Sequence, residues 1–205
     1  MIQVVIGSWW LVGPGKKMVD GGWAWGRLSG WLFVSLVVWW ASHVVAANSL
    51  WVVRGMMSGS LVLLGVIVIK KRKEWREQIK KKWRFILTEE VLFFIGLLGM
   101  GIVRGFKPEI LGLEKFMDAG FINSYLKSAS LPAEDMWFAG KTINYYSFGH
   151  FMGSAMLKWW GVGIGVGYNL LLALLAGLIF SGSFSVSVNL ISLKDQVAEK
   201  KVLIG

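Results

Sequence analysis

The chain has 205 residues, of which 55% are hydrophobic, and a mean hydropathy of +0.58. It is more apolar than a soluble domain of that length. A net charge of +10 invites a nucleic-acid reading, but the basic residues are concentrated in one stretch between two apolar runs, a placement that marks the cytoplasmic edge of a membrane protein. Cysteine is absent, which excludes disulfides, thiolate nucleophiles and Cys-ligated zinc or iron–sulfur centres.

The first residues, MIQVVIGSWWLVGPGKK, lack the basic start and small-residue cleavage site of a signal peptide and read as a short first span. Charge-free runs follow at Leu28–Val53, Gly55–Ile69, Val91–Val103, Thr142–Leu157 and Trp159–Leu193. Hydrocarbon requires the backbone to satisfy its own hydrogen bonds, and none of the runs alternates as a barrel strand does. The expected fold is therefore all-α, a multi-pass transmembrane helix bundle of about five to six helices, each span needing roughly 20 apolar residues.

Helix two is expected at 29–53 and helix three at 55–69, joined by a tight turn near Arg54. His43 and Asn48 are polar positions inside helix two, where a helix-to-helix hydrogen bond is the commoner explanation and function the rarer one. Residues 70–84 carry nine Lys or Arg and form the cytoplasmic basic segment. Trp75, Ile79, Trp83 and Ile86 share one face there, the pattern of a basic helix lying on anionic lipid. With that segment inside, Lys16, Lys17 and Arg27 also fall inside.

Helix four, 85–106, then runs outward, with Glu89 and Glu90 near its inner edge expected to pair with Arg84 or Lys82. Residues 107–143 become an extracytoplasmic acidic loop, helix five returns over 143–160, and a last helix near 165–187 leaves the tail outside. Gly55 with Gly59, and Gly149 with Gly153, have the four-residue spacing that suits helix packing. GVGIGVG at 161–167 lacks the order of a nucleotide loop, follows no strand and reads as a flexible hairpin.

The segment between helices four and five supplies Glu109, Glu114, Asp118, Glu134 and Asp135. Carboxylates in a cleft can take a proton from an acceptor hydroxyl or hold a divalent metal against a phosphate leaving group. Glu114 and Asp118, four apart, would share a helix face. Trp137, Phe138, Tyr145, Tyr146 and Phe148 alternate with Lys141, Asn144 and His150, a mix suited to stacking on a sugar ring and gripping a phosphate. On residue chemistry alone, a solvated loop with an interfacial aromatic belt explains the same residues and is the simpler reading.

EKFMDAGFINSYLKS, followed by LPAEDMWFAGKTINYYSFGHFMGSAMLKWWGV, resembles the YYY-domain family of highly hydrophobic membrane proteins. Glu114, Lys115, Met117, Asp118, Phe121, Asn123, Trp137, Gly140, Asn144, Tyr145, Tyr146, Gly149 and His150 fit its pattern. Phe116 stands where the family has Pro, and Ser147 where it has the third Tyr. The family's layout is similar to that of C-type glycosyltransferases, which use polyprenyl-phosphate sugar donors. The resemblance implies a catalytic or metal-linked acid at Asp118, with Glu114 and Asp135 as second candidates. It implies a site lined by Lys141, Asn144, Tyr145, Tyr146 and His150, with a divalent metal compatible but unspecified. It also implies a multi-pass protein of the cell membrane, in which this chain is one transmembrane domain at the N-terminal end of a longer protein. Its expected partners are the lipid bilayer, a polyprenyl-phosphate sugar and other membrane proteins, and no nucleic acid. The alternative is a non-enzymatic transport or assembly subunit.

Overall fold

The structure, a computed structural model, describes residues 2–204, with side chains for all of them except 2–4, 113 and 195–204. Among the described residues seven α-helices follow one another: α1 (Ile2–Leu11), α2 (Trp23–Val44), α3 (Leu50–Lys70), α4 (Arg72–Phe106), α5 (Leu113–Lys127), α6 (Ser147–Trp160) and α7 (Ile164–Ile204). A 3-10 turn at Pro14–Lys17 lies between α1 and α2. No strand is present among the described residues, so the all-helical membrane fold expected from the apolar runs is what forms. Among the described residues three helices are long and apolar enough to cross a membrane, Leu50–Lys70, Arg72–Phe106 and Ile164–Lys194.

The helices are uninterrupted because nothing in their sequences stops them. All three prolines lie outside the α-helices: Pro14 opens the 3-10 turn, Pro108 follows the end of α4, and Pro132 sits in the loop after α5. Large apolar side chains such as Val62, Leu63 and Ile102 are about two-thirds exposed, which suits helices solvated by lipid.

The chain forms two compact units. The first comprises residues up to Ser29, Leu63–Met100 and the chain from Leu174 onward. In it α1 meets α2 closely: a Cβ on Gly7 would fall 2.9 Å from the Trp23 ring, and one on Gly26 would fall 3.2 Å from Gly7 Cα. α4 and α7 approach backbone to backbone, since a Cβ on Gly96 would lie 2.7 Å from the Ala176 carbonyl and one on Gly177 would lie 2.8 Å from that of Phe93. The glycines singled out by spacing do less. Gly55, Gly59 and Gly149 face open space, and only Gly153 touches neighbours, Leu171 and Ile122.

The inner carboxylates are also paired differently from expectation. Glu90 bonds Arg27 at 3.0 Å and accepts from Trp23 Nε1 at 2.6 Å. Glu89 accepts the Ala24 N–H at 3.0 Å and shares a hydrogen bond with Asp20, so these acids cap the start of α2. Lys82 instead donates to the carbonyls of Lys16 and Met18, and Lys71 to that of Val12. The basic stretch is helical from Arg72 and continuous with the α4 span, and its packed face carries Gln78 and Lys82 rather than Trp83, which is half exposed.

The second unit is Gly30–Val62 and Gly101–Ala173. Here α5 packs on α6 around Phe151, Leu157, Phe121 and Tyr125. α6 ends at Gly161, whose φ of +73° lets its N–H reach the Leu157 and Lys158 carbonyls, a left-handed cap that few other residues adopt without strain. Of the glycine-rich stretch at 161–167, read as a flexible hairpin, only 161–163 lie outside helices, and 164–167 form the first turn of α7.

One expectation about threading is corrected. α6 has 14 residues, a length of ~21 Å against a hydrocarbon core of ~30 Å, and it begins and ends inside the second unit. α7 runs from the second unit, up to Ala173, into the first, which also holds the basic stretch.

Candidate functional site

α5 organises the polar segment. Arg104, near the end of α4, donates from Nη2 to the carbonyls of Pro108 and Glu109 at 3.3 and 3.1 Å, and from Nε to Asn169 Oδ1 at 2.7 Å. Asn169 donates in turn to the Pro108 carbonyl at 3.0 Å. These bonds fix the path from α4 into α5, which starts after Gly112 at φ +105°. At 100° per residue, α5 sets Glu114, Asp118, Phe121 and Tyr125 along one face and Phe116, Gly120, Asn123 and Lys127 along the opposite one.

On the first face Asp118 Oδ1 lies 3.0 Å from His150 Nε2, and the other ring nitrogen, Nδ1, lies 2.5 Å from the Tyr146 carbonyl. Both nitrogens face acceptors, which holds the ring in one orientation. The Asp118 side chain is 40% exposed while that of His150 is 14% exposed, so the carboxylate remains open to a ligand and its partner is shielded. Phe121, buried, is the hub: Tyr145, His150 and Trp137 surround it at centroid distances of 5.5, 5.4 and 5.9 Å, and Tyr146 stacks at 4.4 Å from Tyr145. Tyr145, Tyr146 and Trp137 keep large exposed areas beside the acid.

The structure therefore brings Asp118, His150, Tyr145 and Tyr146 together. Glu114 lies one turn earlier on the same face and is exposed, as are Lys141 and Asn144 in the loop before α6. Asp135 stands apart. Its Oδ1 accepts the N–H groups of Trp137 and Phe138 at 2.8 and 3.1 Å, which shapes the turn, and it lines a cavity of about 840 Å³ on the other face of α5. No group of three His, Asp or Glu residues among the described ones is arranged to hold a metal ion. A Mg²⁺ bound at Asp118 would need substrate phosphate and water to complete its shell, the manner in which that ion is commonly held.

Three residues that organise this region escaped the sequence reading. Phe121 was visible only as part of a motif. Arg104 and Lys158, isolated cations at the edges of apolar runs, carried the general signal that an ionisable group in such a place has a partner. Lys158 is buried, its Nζ donating to the Asn48 carbonyl and to that of Ser128 at 3.0 Å, while Asn48 Nδ2 donates to Tyr125 and Ser128 carbonyls at 2.9 and 2.7 Å. Burial pushes the Lys158 ammonium down to about 8. Together these bonds tie the loop after α5 to the α2–α3 turn.

No curated protein and no solved structure matches the chain. The family model described as uncharacterised membrane protein, DUF2298, matches residues 33–203. With the helical spans, the polar segment and nearly the whole length inside that match, the chain belongs to the DUF2298 family of membrane proteins.

Proposed function

We propose that the chain carries the catalytic face of a membrane glycosyltransferase of the YYY kind, transferring a sugar from a polyprenyl-phosphate donor in the cell membrane with residues 107–143 on the extracytoplasmic side. The observation that supports this most is the Asp118–His150 pair, an accessible carboxylate held by a shielded imidazole beside the exposed rings of Tyr145, Tyr146 and Trp137.

In this reading Asp118 accepts the proton of the acceptor hydroxyl as its oxygen attacks the anomeric carbon. The bond from that carbon to the phosphate oxygen breaks, and the lipid phosphate departs with the electron pair. His150 positions the carboxylate, with its ring fixed at Nδ1 by the Tyr146 carbonyl. The aromatic rings give the sugar an apolar face to stack on, Lys141 and Asn144 offer donors to the phosphate, and Glu114 is a second acid one turn away.

Asp118→Asn in the full-length protein tests it. Transfer from a polyprenyl-phosphate sugar should fall by about 100-fold or more, the size of a lost general base, while membrane insertion is unchanged. Unchanged turnover removes Asp118 from the chemistry.

A further inference from the structure

The cavity on the opposite face of α5 has no part in the transfer step. At about 840 Å³ it is within the range of small-molecule sites, roughly 300–1,000 Å³. Its lining decides what it can hold. One cation, Lys127, stands against two carboxylates, Glu134 and Asp135, so a phosphate or other anion is disfavoured. A cation is poorly served too, because Asp135 Oδ1 already accepts two backbone N–H groups.

The remaining chemistry matches hydroxyl groups, each of which donates and accepts at once. The Asn123 amide, the Lys127 ammonium and the hydroxyls of Ser124 and Ser130 supply donors, while the Glu134 carboxylate supplies acceptors. The Phe116 ring, 57% exposed, offers an apolar face of the kind that packs on the C–H side of a sugar ring. Gly120 completes the wall: any side chain there would overlap the Met136 sulfur, so glycine alone lets Met136 lie against the helix and shape the cavity's side.

We propose that this cavity holds a carbohydrate, making it a second saccharide site distinct from the Asp118–His150 face. The site grips a part of the glycan that does not react, and its existence does not depend on Asp118 being catalytic.

The test is saturation-transfer NMR on the full chain in nanodiscs, with mannotriose, chitotriose and cellotriose as probes. At least one trisaccharide binds the wild type at roughly 20 mM or below, Asn123→Ala combined with Lys127→Ala weakens it by about tenfold or more, and Glu134→Gln weakens it independently. Asp118→Asn leaves it unchanged, and inorganic phosphate does not compete. Absence of binding by all three probes, binding indifferent to both cavity variants, displacement by phosphate, or loss of binding in Asp118→Asn alone would each overturn the proposal. Loss of transfer without loss of binding, or the converse, separates the failure of one assignment from the failure of the other.

Discussion

His150 and Lys158 sit eight residues apart on α6 and do different work. In the proposed transfer His150 acts through Asp118, so its removal should change the pH profile of transfer as well as its rate. His150→Ala is expected to lower kcat by about 10–100-fold and to displace the acidic limb of the pH–rate curve, whereas His150→Gln, which keeps a donor near Asp118, should recover part of the rate. A uniform drop with an unmoved profile would mean that His150 is only a packing residue against Phe121. Lys158 makes a stability prediction whose sign follows from its environment. Its folded-state value of about 8 lies below the ordinary 10.5, so the folded chain gives up the proton first. Stability should therefore rise as pH increases from 8 to 10.5, by an amount on the order of 3 kcal/mol if the whole shift is expressed. Tyr125 opposes this only at the alkaline end, because burial raises its hydroxyl above the usual 10 and ionising it there costs the fold. Thermal unfolding of the detergent-solubilised protein across that range checks the claim, since Lys158→Met should flatten the rise. That Asp118 and His150 belong to one segment was legible in the sequence, but their pairing was not, because it joins α5 to α6 across 32 residues. The Lys158 clamp was not, because it uses the carbonyls of Asn48 and Ser128, and backbone acceptors leave no mark in a sequence.

At the scale of elements, spacing alone misjudged which glycines pack. Gly55 and Gly59 have the four-residue repeat yet face open space, while Gly96 and Gly177, with no such repeat between them, bring α4 and α7 into backbone contact. A spacing rule describes one helix, and contact depends on two. Gly96→Ala should accordingly destabilise the protein by about 1–3 kcal/mol, because the atom met is a carbonyl and cannot swing away. Gly55→Ala should be neutral or stabilising by up to about 1 kcal/mol through helix propensity. Unfolding midpoints that fail to separate the two variants would contradict the close approach. The division of the polar segment has the same origin. Asp118 and Asp135 read as members of one acidic loop, but fifteen of the intervening and flanking residues form α5, and a helix places residues on faces irrespective of their nearness in sequence. Asp135 also serves its own turn through two N–H groups, a role any Asp before a tight turn can take.

For the whole molecule, composition carried the class but took α6 for a span. Charge-free runs identified helices, and the basic stretch at 70–84 supplied an anchor, but the runs Thr142–Leu157 and Trp159–Leu193 hold two helices of unequal role. α6 is too short to cross and stays in the second unit, whereas α7 is 41 residues long and carries the chain back to the first. A hydropathy count cannot separate a short helix packed on α5 from half of a span, because both are apolar. The consequence is a parity that experiment can read. Of the described helices long and apolar enough to cross, α4 and α7 lie between the basic stretch and the tail, an even number, so both ends of that passage fall on the same side. In this cysteine-free chain, single cysteines at Ser130, Lys73 and Lys194, none of them buried, report on that parity directly. A membrane-impermeant maleimide on intact cells should label position 130 and leave 73 and 194 unlabelled until the membrane is opened. If 194 labels together with 130, the number of crossings is odd and α6 spans after all. If 73 labels while 130 does not, the polar segment faces the cytoplasm and the proposed transfer from an outward-facing lipid donor loses its geometry.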